Sequence, residues 1–177
     1  MKKAKLFVAI AVGMLAALLA LAACGSSKLD TETSTGAMKH SVSSEWDISS
    51  ERGSSPLPNV ESNYYLKADD DSFYVVVAVY DMNKAEPPAT AMTPDEQAKA
   101  ESDVRKEATD MTFTQEELGS STVFGADVKI FKEEGSVGDY TLTEYVAYIC
   151  NAELNIEATI RCSDQEVLED IVDSIEF

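Results

Sequence analysis

The sequence is poor in the residue types on which many enzyme active sites and metal sites depend. Histidine occurs once, as His40, at the edge of the predicted domain and with no cysteine near it. A histidine-based nucleophilic set or zinc site is therefore not predicted. The sequence also has no glycine-rich phosphate loop and no paired-cysteine metal spacing. We expect no cofactor.

Basic residues are also scarce, with 14 Lys and Arg against 32 Asp and Glu, which gives a formal net charge of −18. Nucleic-acid binding needs a basic surface, so nucleic acid is excluded as a partner. The same negative charge also opposes binding of the protein along an anionic lipid surface, because the lipid would repel it. The simplest role of this acidity is solubility, and the alternative is a cation or a basic protein partner.

Cysteine occurs three times, and two of the three, Cys150 and Cys162, lie in the C-terminal part. Outside the cytoplasm such a pair can form a disulfide. A predicted hairpin over 140–162, turning near 151–153, would separate the two by more than the roughly 7 Å that a bridge allows between Cα atoms. A later turn would let them meet. The alternatives are a disulfide and two small buried apolar side chains.

The one long apolar run, residues 6–23, follows three lysines and ends in the tetrad Leu21-Ala22-Ala23-Cys24. A basic start, an apolar middle and small residues at the end are typical of a secretory signal. This stretch resembles the signal peptide of bacterial lipoproteins, whose lipobox it matches at all four positions. The resemblance implies a diacylglycerol on Cys24, cleavage just before Cys24, and a protein held outside the cytoplasmic membrane. The alternatives are an uncleaved transmembrane helix and a signal peptide cut without lipidation.

We therefore divide the chain into a signal peptide (1–23), a lipidated cysteine with a flexible tether (24–38), and one domain (39–177). Residues 25–38 are small and polar, which predicts disorder. The remaining length suits a single domain with its own core.

Hydrophobic periodicity in the first half predicts strands and then a helix. Val42, Trp46 and Ile48 share one face of a strand with Trp46 as a core anchor, and a hairpin pairs 63–67 with 73–81. Thr93 and Glu96 form a capping box that starts a helix reaching about residue 110.

The second half predicts a strand over 122–132 broken by a bulge or bend at Gly125, followed by a turn over 133–139. The hairpin over 140–162 comes next. In its second strand, the even-numbered residues from Leu154 to Cys162 point inward, and the odd-numbered residues Asn155, Glu157, Thr159 and Arg161 point outward. Ser163 is the predicted cap of a closing helix with one apolar stripe.

Hairpins alternating with helices indicate an α+β fold in which helices pack on an antiparallel sheet. The order and spacing resemble the PsbP-like family in three stretches, Val42 to Trp46, Val123 to Asp127 and Ile171 to Phe177. That family is named for an extrinsic photosystem II subunit and includes many small bacterial lipoproteins. The resemblance implies a PsbP-like sandwich over 39–177.

The predicted function is a non-catalytic binding or assembly module, anchored to the cell membrane by its N-terminal lipid on the extracytoplasmic side and engaging a protein partner there. The alternative is a small cell-envelope hydrolase that works with carboxylates alone. A deep pocket holding two carboxyls of raised pKa would favour the hydrolase.

Overall fold

The structure is a computed structural model, and it describes residues 28–49, 58–108 and 112–177. The described residues form nine strands, two α-helices and one short 3₁₀ helix. In chain order these are β1 Thr31–Thr35, β2 Met38–Val42, β3 Trp46–Ile48, β4 Val60–Lys67, β5 Tyr74–Asp81, the 3₁₀ helix Met82–Lys84, α1 Pro94–Ala108, β6 Thr112–Val123, β7 Ala126–Val137, β8 Tyr140–Asn151, β9 Ile156–Cys162 and α2 Gln165–Asp173. None of the helices in these ranges is both long and apolar enough to cross a bilayer.

Seven strands form one antiparallel sheet in the order β3-β4-β5-β9-β8-β7-β6. The hairpin of β1 and β2 and helix α2 cover one face, which we call the core face. Helix α1 packs over β6, β7 and β8 on the opposite face, which we call the α1 face. The predicted fold class, antiparallel sheet with helices packed on it, is what the structure has.

The core face holds most of the buried apolar side chains. Val75, Val77 and Val79 project from β5 into this core, and the apolar stripe of α2, centred on Leu168 and Ile171, joins it by packing against β8, β9 and β2. Trp46 is buried with its ring centroid 5.2 Å from that of Phe73, so it is the core anchor that the sequence predicted. Ile48, which the pattern placed on the same buried face, is mostly exposed.

The folded chain begins earlier than the sequence predicted. Residues 25–38 were expected to be a disordered tether, but Thr31–Thr35 pairs in register with β2. Its side chains are mostly exposed, and the pairing rests on backbone bonds and on Asn63 Nδ2, which donates to Thr35 Oγ1 at 2.7 Å. Gly36 turns the hairpin at φ +55°, where an added Cβ would approach Val79 Cγ1 at 3.2 Å.

Three further local predictions are wrong. The predicted bulge or bend at Gly125 is a hairpin turn between β6 and β7, with positive φ at both Phe124 and Gly125. Strand β7 then continues through the predicted turn region to Val137. The cap of α2 is Asp164, whose Oδ1 accepts from Val167 N, whereas Ser163 Oγ accepts from Tyr74 N in the sheet.

Candidate functional site

Strand register places a row of polar side chains across the α1 face. Gln115 on β6 lies opposite Glu133 on β7, and Glu133 lies opposite Glu144 on β8. The side chains of Glu133 and Glu144 are 0% and 7% exposed. Two like charges directly opposite each other destabilise a sheet, so this row requires cations close by.

Arg161 on β9 supplies the first of these cations. Its Nη1 lies 3.1 Å from Glu133 Oε2 and 3.1 Å from Glu144 Oε1. Its Nη2 lies 2.9 Å from Oε1 of Glu101, a residue of α1. Burial acts to lower the pKa of the Arg161 guanidinium, but the groups around it, chiefly Tyr148, Glu144 and Glu101, outweigh burial and raise that pKa.

Arg105 on α1 supplies the second cation and joins the helix to the sheet. Its Nη2 lies 2.6 Å from Glu144 Oε1, and its Nε lies 2.7 Å from Glu101 Oε1 one helical turn away. The guanidinium also lies over the ring of Phe113, 5.1 Å from the centroid. We call Glu101, Arg105, Glu133, Glu144 and Arg161 the ion cluster.

Neutral hydrogen-bond donors complete the ion cluster. Tyr148 Oη donates to Glu133 Oε1 at 2.7 Å, and Gln115 Nε2 donates to the same oxygen at 2.8 Å. Tyr74 Oη donates to Glu144 Oε2 at 2.9 Å. Burial raises the pKa of both tyrosines, and the adjacent carboxylates raise it further, so both phenols stay protonated as donors.

A half-open cavity of about 390 Å³ lies beside the ion cluster, between α1 and the middle of the sheet. Its walls are partly apolar, with Val76 and Ala78 on β5 and Val104 on α1. Glu157, which also lines the cavity, is buried, and its Oε1 accepts from Met92 N at 2.7 Å. Burial raises the pKa of the Glu157 carboxyl, the Met92 N–H bond opposes that shift, and Glu96 adds to it.

The structure keeps the sequence-predicted site residues apart. Cys24 lies outside the described residues. Cys150 and Cys162 are free buried thiols. Cys162 lies opposite Tyr145, five positions from Cys150 along β8, which separates the thiols by about 17 Å and puts them on opposite faces. The disulfide alternative therefore does not hold, and burial raises the pKa of the Cys162 thiol to about 12.

His40, placed at the edge of the domain by the sequence, is fully buried between the hairpin and the sheet. Its Nε2 lies 3.4 Å from Tyr65 Oη, and its Nδ1 has no hydrogen-bond partner among the described residues. Burial lowers the pKa of the imidazole to about 4, against the opposing effect of the Met38 backbone. His40 is thus a neutral core residue at neutral pH.

Sequence reasoning missed the ion cluster, because its five residues are spread over residues 101–161 among many other acids. Two signals were available. Glu101 and Arg105 form an i, i+4 pair on the predicted helix. The sequence has only three arginines, and one of them, Arg161, falls in its most regular strand.

Comparison with known proteins identifies the fold. No family model matches the chain, and no curated protein matches it. The solution structure of cyanobacterial PsbP (CyanoP) from Synechocystis sp. PCC 6803 is similar, with a TM-score of 0.55 and 13% sequence identity. The match covers 86% of this chain and 94% of that one. The fold is therefore PsbP-like, as the sequence resemblance implied, and at this identity the likeness speaks for the fold alone.

Proposed function

We propose that this chain is a lipid-anchored extracytoplasmic module that binds a partner or assembles with it and performs no catalysis. The observation that carries the proposal is the pairing of Glu101, Glu133 and Glu144 with Arg105 and Arg161. Donors of the protein itself occupy both oxygens of Glu133 and of Glu144, so these carboxylates are poorly placed to contact a substrate. The PsbP-like fold is consistent with an accessory role.

The ion cluster supports a specificity role for the α1 face. A buried ion network gains little net stability over an apolar core, but it fixes which groups can lie together. Here it ties one helix to strands β7, β8 and β9 at a set register. A rigid helix–sheet unit of this kind is well suited to form the surface on which a partner docks.

The anchor part of the proposal rests on the match of Leu21-Ala22-Ala23-Cys24 to a lipobox. Strand β1 begins at Thr31. A chain from Cys24 to Thr31 spans about 24 Å when fully extended. The proposed lipid would therefore hold the folded domain close to the bilayer surface, and partners within or just outside that membrane would be within reach.

The hydrolase alternative has less support. Carboxylate-based glycoside hydrolysis uses two carboxyls across the scissile bond, one of them with a raised pKa. Glu157 meets the second condition, but the other carboxylate lining the cavity, Glu101, is bound by two guanidinium groups.

A turnover assay tests the non-catalytic claim. Purified protein and its Glu157→Gln variant are incubated with cell-envelope polysaccharide from the source cell, and release of reducing ends is measured. We expect equal release, at the level of the buffer blank. Release by the wild type that Glu157→Gln abolishes would overturn the proposal in favour of the hydrolase.

A further inference from the structure

The cavity beside the ion cluster has the size and composition of a small-molecule site. Ligand sites commonly measure about 300–1,000 Å³ and combine apolar walls with a few placed polar groups. This cavity measures about 390 Å³, with Val76, Ala78 and Val104 among its apolar walls and the carboxyl-bearing Glu157 in its lining. Val104 is 62% exposed, so the cavity opens to solvent along α1.

The charges that line this cavity are balanced except at one residue. Arg161 is bound by three glutamates of the ion cluster, and Glu101 is bound by two arginines. Glu157 is only 5% exposed, yet no lysine, arginine or histidine among the described residues lies within ion-pair distance of it. Its one hydrogen bond in the described chain comes from Met92 N. A buried carboxyl of this kind lacks a cation.

We propose that this cavity binds a small organic amine whose ammonium group pairs with Glu157 and whose apolar body lies against Val76, Ala78 and Val104. The inference deepens the binding role proposed above and rests on it. It does not depend on the lipid anchor.

The surroundings favour an ammonium over other ligands. The chain carries a formal net charge of −18, so anions are repelled and cations are attracted towards the site. A metal ion would require several converging ligands, and no group of three or more His, Cys, Asp or Glu residues in the described ranges is placed to hold one. An ammonium needs only one carboxylate and an apolar wall for its substituent.

Tyr80 places an aromatic side chain beside Glu157 in the cavity lining. It lies directly opposite Glu157 in the pairing of β5 with β9, so both side chains project from the same face. Tyr80 is half-buried and also lines the cavity. An aromatic ring next to a carboxylate stabilises an organic cation through its π face. Because burial raises the pKa of Glu157, an arriving cation also offsets the cost of ionising that carboxyl.

The test is a titration of the full chain in a neutral detergent with n-pentylamine, followed by backbone amide chemical shifts. We expect saturable shifts at Tyr80 and Glu157, with n-pentanol binding at least fivefold more weakly than the amine. Glu157→Gln, which keeps the shape of the side chain, should weaken amine binding at least fivefold. Glu153→Gln, the same exchange in the exposed turn between β8 and β9, should change it less than twofold.

A second variant tests the need for the cavity volume separately from the need for the Glu157 carboxyl. Ala78→Leu fills the cavity from β5 while leaving Glu157 in place, and it should also weaken amine binding at least fivefold. The proposal is overturned if n-pentylamine gives no saturable shifts, if n-pentanol binds within fivefold of the amine, or if either variant binds within fivefold of wild type. A failed titration with no polysaccharide release would reject the amine site and leave the non-catalytic assignment standing.

Discussion

At Arg161, one guanidinium holds three carboxylates, two of which are almost completely buried. Removing one partner of a buried ion group leaves an uncompensated charge, which typically costs about 3–5 kcal/mol. Arg161→Met should therefore lower the free energy of unfolding by about that amount, measured by denaturant melts at neutral pH.

The matched control is Lys132→Met, which removes the surface pair between Lys132 Nζ and Glu134 Oε1 at 2.7 Å. Partly exposed pairs of this kind contribute about 0–1 kcal/mol. Equal and small losses in the two variants would show that solvent screens Arg161 and that the ion cluster is not buried in solution.

His40 gives the domain a specific sensitivity to acid. Burial lowers its folded-state pKa to about 4, below the unfolded value of 6.5. Its contribution to stability is therefore complete above the unfolded pKa and is lost as the pH falls towards 4. A shift of this size corresponds to at most about 3 kcal/mol.

The His40→Leu variant should lose this pH-dependent contribution to stability. The difference in unfolding free energy between wild type and variant, measured at neutral pH and again near pH 4.5, should shift in favour of the variant by about 2 kcal/mol. A difference that stays constant across this range would mean that His40 is hydrated or titrates normally in the folded protein.

At the scale of elements, the hairpin of β1 and β2 belongs to the domain. Thr35 is buried beneath Asn63, and Gly36 N donates to Glu61 Oε2 at 3.0 Å. A chain that begins at Met38 leaves β2 without its partner strand and should melt well below the full chain. A chain that begins at Lys28 keeps the hairpin and should melt within a few degrees of it. Coincident melts of the two would show that β1 is dispensable.

The sequence predicted the elements whose signal is local. Thr93 and Glu96 do form a capping box, with Thr93 N donating to Glu96 Oε2 at 2.9 Å. The even-numbered residues of β9 do face the core. Leu154, predicted to point inward with them, is exposed because it lies in the turn. Strand β1 escaped prediction because its polar side chains are exposed and its order comes from backbone pairing.

The candidate site could not be predicted because it depends on long-range register. The alternation in β9 identified Glu157 and Arg161 only as pointing outward, away from the core. In the structure helix α1 covers that face, which buries Glu157 and ties Arg161 to Glu101. Periodicity distinguishes two faces of a strand, but it does not say whether a second layer covers the outer one.

For the whole molecule, on this proposal, a short segment would hold the PsbP-like domain of a chain with net charge −18 next to a membrane. Anionic lipid repels such a domain, so on this proposal the membrane supplies position and not a binding surface. The outer sheet face with its ion cluster and cavity then remains available to a partner or ligand.

The most direct test of this account is the intact mass of the protein purified from the membrane of its own cell. We predict a polypeptide that starts at Cys24 and carries a diacylglycerol, and a Cys24→Ser variant that keeps residues 1–23 and gains no lipid. A membrane-bound protein that retains residues 1–23 with an unmodified Cys24 would contradict the account, as would a cleaved protein without lipid.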